Sequence, residues 1–225
     1  MRKNGQIIDS AKFDMIGELT NDRAIVLKRG KIGYINSGGK IVLETKYEEF
    51  PNYLEIGKFN GAYAVVRVKG KFGVIDKTGK LIVPATYLQL GNYSTLMAFN
   101  KGKGWGYTDL LGIPVILPQF DHAESFKNGS GFVEKAGLVG VIDSKGTPII
   151  PIEFDQIEPL DSESVIVAKN GRFGVYTMTG KEIIPTEYEQ IRILNKDFLL
   201  LTIGAETHYL YRPLNKIIKP KLGDE

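Results

Sequence analysis

The sequence predicts an all-β protein made of six tandem β-meander repeats, each roughly 34 residues long. Two observations carry that expectation. An apolar residue followed by glycine recurs at Gly33, Gly73, Gly106, Gly140 and Gly174. Between these glycines the chain alternates short β-branched runs with Gly, Asn, Asp and Pro punctuation, and no stretch shows a convincing helical period.

The clearest copy lies in the second repeat. Ala64-Val65-Val66-Arg67-Val68 reads as a first strand and Lys69-Gly70 as a tight hairpin; Lys101-Gly102-Lys103 and Asn170-Gly171-Arg172 read the same way. Phe72-Gly73-Val74-Ile75 is the second strand. Asp76-Lys77-Thr78-Gly79 then predicts a three-residue loop, its aspartate bonding backbone N–H groups ahead of it and its glycine taking a left-handed bulge position. The same device recurs at Asn36 to Gly39, Asp109 to Gly112, Asp143 to Gly146 and Thr177 to Gly180. Leu81-Ile82-Val83 forms the third strand. Prolines at 84, 118, 151, 185 and 220 suit strand ends, where no ladder N–H is needed. An aromatic residue and a polar tail follow, as at Tyr47-Glu48, Phe120-Asp121, Phe154-Asp155 and Tyr188-Glu189, giving a short fourth strand or an extended link.

These boundaries place a half-unit at 5–16 and units near 17–50, 51–90, 91–123, 124–157, 158–191 and 192–220, one continuous array over 1–225. The last unit is degenerate: His208-Tyr209 replaces the apolar-Gly pair and Asn215 replaces the turn glycine, as expected of a repeat that ends an array. The array can close as a propeller-like ring or run as an open superhelix.

The repeated residues resemble the WG-repeat family, also called KWG. Lys103-Gly104-Trp105-Gly106-Tyr107-Thr108-Asp109 carries the literal Trp-Gly pair, with Ile32, Phe72, Val139 and Phe173 in the Trp slot of other copies. The resemblance covers roughly residues 5 to 220. It implies a bacterial, propeller-like all-β repeat protein without a general catalytic activity, and it transfers no site residue. Because the Trp slot varies, it reads as a packing position beside a close backbone approach.

Composition narrows function by exclusion. The chain has no cysteine, hence no disulfide, thiolate nucleophile or sulfur-ligated metal. A formal charge of +3 is too weak to indicate nucleic-acid binding, and the aromatics fall in strands and links where packing explains them. No apolar run approaches a membrane span, and no apolar signal segment follows Met1, so the chain as given is expected in the cytoplasm, with export open if a leader was removed. The histidines His122 and His208 offer no ligand spacing. Asp76, Asp109 and Asp143 supply one carboxylate per loop where calcium needs several oxygens. No metal or cofactor is expected. Glu48/Glu49 and Asp121/Glu124 are paired carboxylates that a glycan hydrolase could use, and they keep an enzyme as the alternative. The sequons at Asn92 and Asn128 read as chance matches.

Two features point to binding. Arg29, Lys31, Lys69, Lys71, Lys101, Lys103 and Arg172 sit at equivalent hairpin tips and would form an electropositive rim for an acidic protein surface or an anionic polymer. The interval after the first glycine is longer than the others, and the extra residues 51–60 bring Tyr53 and Leu54 into a loop suited to recognition. The expected function is a non-enzymatic binding or scaffolding module, with a purely structural spacer as a further alternative. Partner identity and oligomeric state stay open.

Overall fold

A computed structural model describes residues 12–92 and 95–220. These fall into two compact units divided after Gly131. Of the expected half-unit 5–16, residues 5–11 lie outside the described residues, as do Tyr93 and Ser94 of the first sequon.

In the first unit a seven-stranded sheet runs in chain order: β1 (Met15–Thr20), β2 (Arg23–Lys28), β3 (Lys31–Ile35), β4 (Ile41–Glu48), β5 (Tyr63–Val68), β6 (Lys71–Asp76) and β7 (Leu81–Tyr87). It is two meanders joined through the Glu48–Arg67 pair. A second sheet takes β8 (Gln89–Leu90), β9 (Met97–Asn100), β10 (Trp105–Thr108) and β11 (Pro114–Phe120). The third sheet, which contains the division, takes β12 (His122–Ala123), β13 (Ser130–Lys135), β14 (Leu138–Asp143) and β15 (Pro148–Phe154). The second unit adds a sheet of β16 (Gln156–Pro159), β17 (Ser164–Lys169), β18 (Arg172–Thr177) and β19 (Glu182–Tyr188). A last sheet holds β20 (Gln190–Ile193), β21 (Phe198–Ile203), β22 (Glu206–Tyr211) and β23 (Lys216–Ile218). The protein is thus an all-β series of tandem antiparallel meanders, each with the up-and-down topology of a propeller blade.

The short link strand belongs to the repeat that follows it. Phe154 ends β15, and Gln156–Pro159 then pairs with β17 as the first strand of the next sheet. In the second repeat the tail of β4 serves instead, which is why two meanders fuse there.

Type I′ turns close the tight hairpins. Arg29-Gly30, Lys69-Gly70 and Asn170-Gly171 have positive φ at both residues, as this turn requires. Lys101–Gly104 differs from expectation: four residues separate β9 from β10, with Gly102 and Gly104 at φ 98° and 91°. The Asx turns form as expected. Asp76 Oδ1 accepts from the Thr78 and Lys80 N–H groups at 2.8 and 3.0 Å, and Gly79 sits at φ 83°. Asn215 takes the left-handed position at φ 47° where the last repeat lacks glycine.

The prolines correct the sequence reading. Pro84, Pro118, Pro151 and Pro185 lie inside β7, β11, β15 and β19, not at strand ends. Val74 pairs with Val83 and Phe72 with Tyr87, so Pro84, Ala85 and Thr86 bulge out opposite Gly73 alone. A bulge leaves a residue without a ladder partner, so the missing proline N–H costs nothing there. The bulge also explains the recurrent glycine, since a Cβ on Gly73 or Gly106 would lie 2.7 or 2.5 Å from the carbonyl oxygen of Val83 or Ile116. The described residues include one turn of α-helix, α1 (Tyr53–Ile56), and a 3-10 turn at Arg212–Leu214.

Between neighbouring repeats the aromatic that ends each third strand is the main filler. Tyr87 and Phe99 meet edge to face at 5.3 Å within a cluster that includes Val65, Val83 and Met97. Hydrophobic burial of this kind, repeated along the chain, is what each unit lacks alone.

Candidate functional site

In three repeats the acid after the aromatic caps a tight hairpin. Asp14 Oδ2 accepts from the Arg29 N–H at 2.5 Å, Glu48 Oε2 from Gly70 N–H at 2.9 Å and Asp155 Oδ2 from Asn170 N–H at 2.6 Å. These bonds hold turns in which Arg29, Asn170 and Lys69 occupy the left-handed region. The basic tips therefore carry acids among them. Arg172 pairs with Glu189 at 3.0 Å and Lys169 with Glu153 at 3.1 Å, while Arg67 lies 3.7 Å from Glu48. Arg29, Lys31, Lys69 and Lys103 are exposed; Lys71 is half-buried at the start of β6. Lys101 Nζ lies 4.5 Å above the Tyr87 ring, a cation–π contact that fixes its position.

Other residues with chemical potential have structural work. Hydrogen bonding from the Thr78 side chain holds the Asp76 carboxyl below its usual range, and backbone donation from Thr147 does the same for Asp143. The ring of His122 packs against Trp105 at 5.4 Å. His208 is buried, with Nδ1 3.2 Å from the Tyr188 hydroxyl and Nε2 3.0 Å from Glu206. Among the described residues no three His, Cys, Asp or Glu side chains cluster as metal ligands.

The inserted segment packs onto the first two repeats. Phe50 and Phe59 are buried, Phe59 meeting Tyr34 at 4.9 Å and Phe50 meeting Phe72 at 5.1 Å, both edge to face. Burial pushes the Tyr34 hydroxyl far above its usual pKa, and it donates to Gly57 O at 2.6 Å. Tyr53 is half-buried against Phe50, while Leu54 is exposed. Beside them a cleft of about 300 Å³ is lined by Thr20, Asn21, Glu55, Ile56, Lys58 and Asn60, with Phe59 and Asn92 at its margin.

A different surface stands out in the third repeat. Leu111, Ile113, Val115 and Leu117 are 66, 58, 48 and 70% exposed. Ile113 immediately precedes β11, and Val115 and Leu117 flank buried Ile116 within it, so the exposed apolar side chains follow one another along the turn and the bulged strand. β11 is an edge strand of its sheet, and its Phe120 end adjoins the Lys101–Gly104 tip, where Trp105 pairs with Phe120.

The model of the WG containing repeat matches residues 1–31, 32–72, 72–94, 105–138 and 140–172, more than half of the chain. The chain belongs to the WG-repeat family. Residues 173–220 lie beyond the matched spans, yet they keep the meander in β18 to β23. Among curated proteins none matches in sequence. Solved structures similar in fold include PorZ, an essential surface component of the type-IX secretion system of Porphyromonas gingivalis. It is 10% identical with a TM-score of 0.41, and the match covers 95% of this chain but 33% of PorZ. Hsv2p of Kluyveromyces lactis is 11% identical with a TM-score of 0.44, covering 94% of this chain and 85% of Hsv2p. Dihydro-heme d1 dehydrogenase NirN is 11% identical with a TM-score of 0.42, covering 94% and 57%. Likenesses this distant carry no conclusion about function.

Within the WG-repeat frame the third repeat departs from its sisters on the outside only. Ile113 stands where the other repeats have Lys40, Lys80, Thr147 and Lys181, and Leu111 where they have Gly38, Thr78, Lys145 and Thr179. Leu117 replaces Glu44 and three prolines. Sequence reasoning missed this strip because it sought chemistry in charged residues; aligning the copies on their turn glycines would have found it.

Proposed function

We propose that this WG-repeat protein is a non-enzymatic binding module that holds a protein partner on the Leu111, Ile113, Val115 and Leu117 strip. The observation that carries the reading is the exposure of four large apolar side chains in one repeat, three of them, Leu111, Ile113 and Leu117, at positions where sister repeats have polar residues, glycine or proline. A contiguous apolar patch on a polar frame marks an interaction surface. Pro114 and Pro118 lack N–H groups, so the contact is made through side chains, not by adding a strand to the sheet edge. The Lys101 and Lys103 tip at one end of the strip selects a partner with acidic residues flanking its apolar segment, and Arg29, Lys31, Lys69 and Lys71 extend that attraction as tips of other repeats. Against a hydrolase, the Glu48 carboxylate is engaged as a turn cap.

The test compares wild-type protein with a triple variant, Leu111→Lys, Ile113→Lys and Leu117→Glu, as bait in lysate from the source cell. A partner recovered by wild type and lost by the variant supports the reading, and its binding to Lys101→Glu/Lys103→Glu protein should weaken most at low salt. Identical recovery by all baits, or loss only on changing Tyr53 and Leu54, would move the site elsewhere.

A further inference from the structure

We propose that the cleft beside the inserted helix turn is a binding site for a neutral, hydroxyl-rich small molecule, a monosaccharide or the end of a glycan. The site is independent of the apolar strip. Its lining carries Glu55 and Lys58, whose opposite charges favour no net charge in the occupant, and carboxamides from Asn21, Asn60 and Asn92. A carboxamide both donates and accepts, and so does a sugar hydroxyl; a lining of such groups matches alternating hydroxyls better than it matches a phosphate or an ammonium group. Ile56, half-buried in the wall, offers the apolar contact that the C–H face of a sugar ring uses.

One atom makes the argument specific. Thr20 lines the cleft, and its hydroxyl is shielded from solvent with no hydrogen-bond partner in the protein. A buried polar group left unsatisfied is destabilising, and native structures retain few of them. Turning Thr20 to another staggered rotamer would bring that hydroxyl to the cleft wall, where a ligand hydroxyl would complete it.

The walls are held in advance of any occupant. Asn21 sits in the left-handed region at φ 51°, and its Nδ2 donates to Phe59 O at 2.8 Å, which leaves its Oδ1 as an acceptor. On the other side the Tyr34–Gly57 bond fixes the end of α1, and the buried Phe50 and Phe59 rings pin both ends of the insertion. A pocket that needs no ordering keeps more of its contact energy as affinity. A volume of about 300 Å³ suits one ring better than an extended oligomer, so a glycan would enter by its terminus. The insertion that distinguishes the first interval thus supplies the recognition surface, through Glu55, Ile56 and Lys58 and not through Tyr53 and Leu54.

The experiment titrates the intact protein with glucose, galactose, mannose and N-acetylglucosamine, each to 50 mM, and with inorganic phosphate and glycine as charged controls. Side-chain amide resonances and saturation transfer to the sugar report binding. At least one sugar should shift the Asn21 and Asn60 carboxamide signals while both controls leave them unmoved. Thr20→Val should weaken that sugar at least fivefold without lowering the melting temperature, because the hydroxyl makes no bond within the protein. Glu55→Ala, an exposed substitution, should weaken it as well. Binding by none of the four sugars, binding of a charged control instead, or sugar binding indifferent to both variants would overturn the proposal.

Discussion

Strands β7 and β11 close equivalent repeats, and their inward halves do the same work. Val83 and Ile116 are buried, Tyr87 and Phe120 fill the core beyond them, and each strand bulges over a glycine, Gly73 or Gly106. Their outward halves have nothing in common: Thr78, Lys80 and Pro84 on one, Leu111, Ile113 and Leu117 on the other. The comparison separates what the repeat must keep from what it is free to change. Packing and turn geometry constrain the inner face and the glycines; the outer face answers only to water and to partners.

The inner frame should break most easily. Gly180 combines positive φ with a site where a Cβ would lie 2.3 Å from Ile149 O, whereas Gly30 has positive φ and open space around it. Gly180→Ala should cost about 3 kcal/mol or prevent folding, and Gly30→Ala about 1 kcal/mol. Gly106→Ala isolates the second factor, since its φ is ordinary and only the close approach of the β11 backbone, Ile116 O at 2.5 Å with Pro118 N and Leu117 C, forbids a side chain. Urea midpoints for the three variants check the order; equal losses at Gly180 and Gly30 would show that backbone conformation alone sets the cost.

A smaller effect is expected where a hydroxyl reinforces the frame. Tyr34→Phe should lose about 1–2 kcal/mol, because Gly57 O is left buried without its donor. Tyr87→Phe should lose less: its bond to Gly112 O is longer, 3.1 Å, and Phe120 and Phe154 occupy the same position with no hydroxyl at all. Thermal melts would resolve the difference.

What the sequence disclosed follows the same division. The Asx turns were legible because one side chain, one glycine and a fixed spacing determine them, as Asp76 and Gly79 show. The bulge was not, because Pro84 reads alike at a strand end and inside a bulged strand, and only the Gly73 contact distinguishes them. The aromatic-acid pairs were visible as a pattern, but the bond from Gly70 N–H to Glu48 spans 22 residues and has no local signature. Of the binding features, the basic residues were found and their acidic neighbours were not. The cleft brings Thr20 and Asn21 together with Glu55, which is remote from them in the chain, so no motif could announce it.

The Asx turns also set a pH dependence. The carboxyls of Asp76 and Asp143 have pKa values lowered by folding, so their contribution is fully present above about 3.9, the unfolded value, and is lost as pH falls through the lower folded values. Asn36 makes the same two bonds, from Gly38 and Lys40 N–H at 3.0 Å each, with a side chain that does not titrate. Asp76→Asn/Asp143→Asn protein should therefore melt like wild type at pH 7 and decline less between pH 4 and pH 2.5. An unchanged acid profile would mean that the caps add nothing at these turns.

The outer face should show the smallest change in stability. Exchanging the outward residues of the two strands, with Leu111→Thr, Ile113→Lys and Leu117→Pro on β11 and Thr78→Leu, Lys80→Ile and Pro84→Leu on β7, leaves every buried side chain and every turn glycine in place. Each exposed substitution should shift stability by less than about 0.5 kcal/mol, except Thr78→Leu, which also removes the hydroxyl bond to Asp76 Oδ1. Both half-exchanges should then melt within a few degrees of wild type, and the β11 half alone should abolish partner binding. The β7 half tests whether apolar residues suffice: Lys69-Gly70 closes a two-residue tip there, in place of the longer Lys101–Gly104 loop, so partner binding should rise weakly if at all. A β11 exchange that lowers the melting temperature by ten degrees or more would show that Leu111, Ile113 and Leu117 contribute to packing within the chain, and the strip could no longer be read as a surface reserved for another protein.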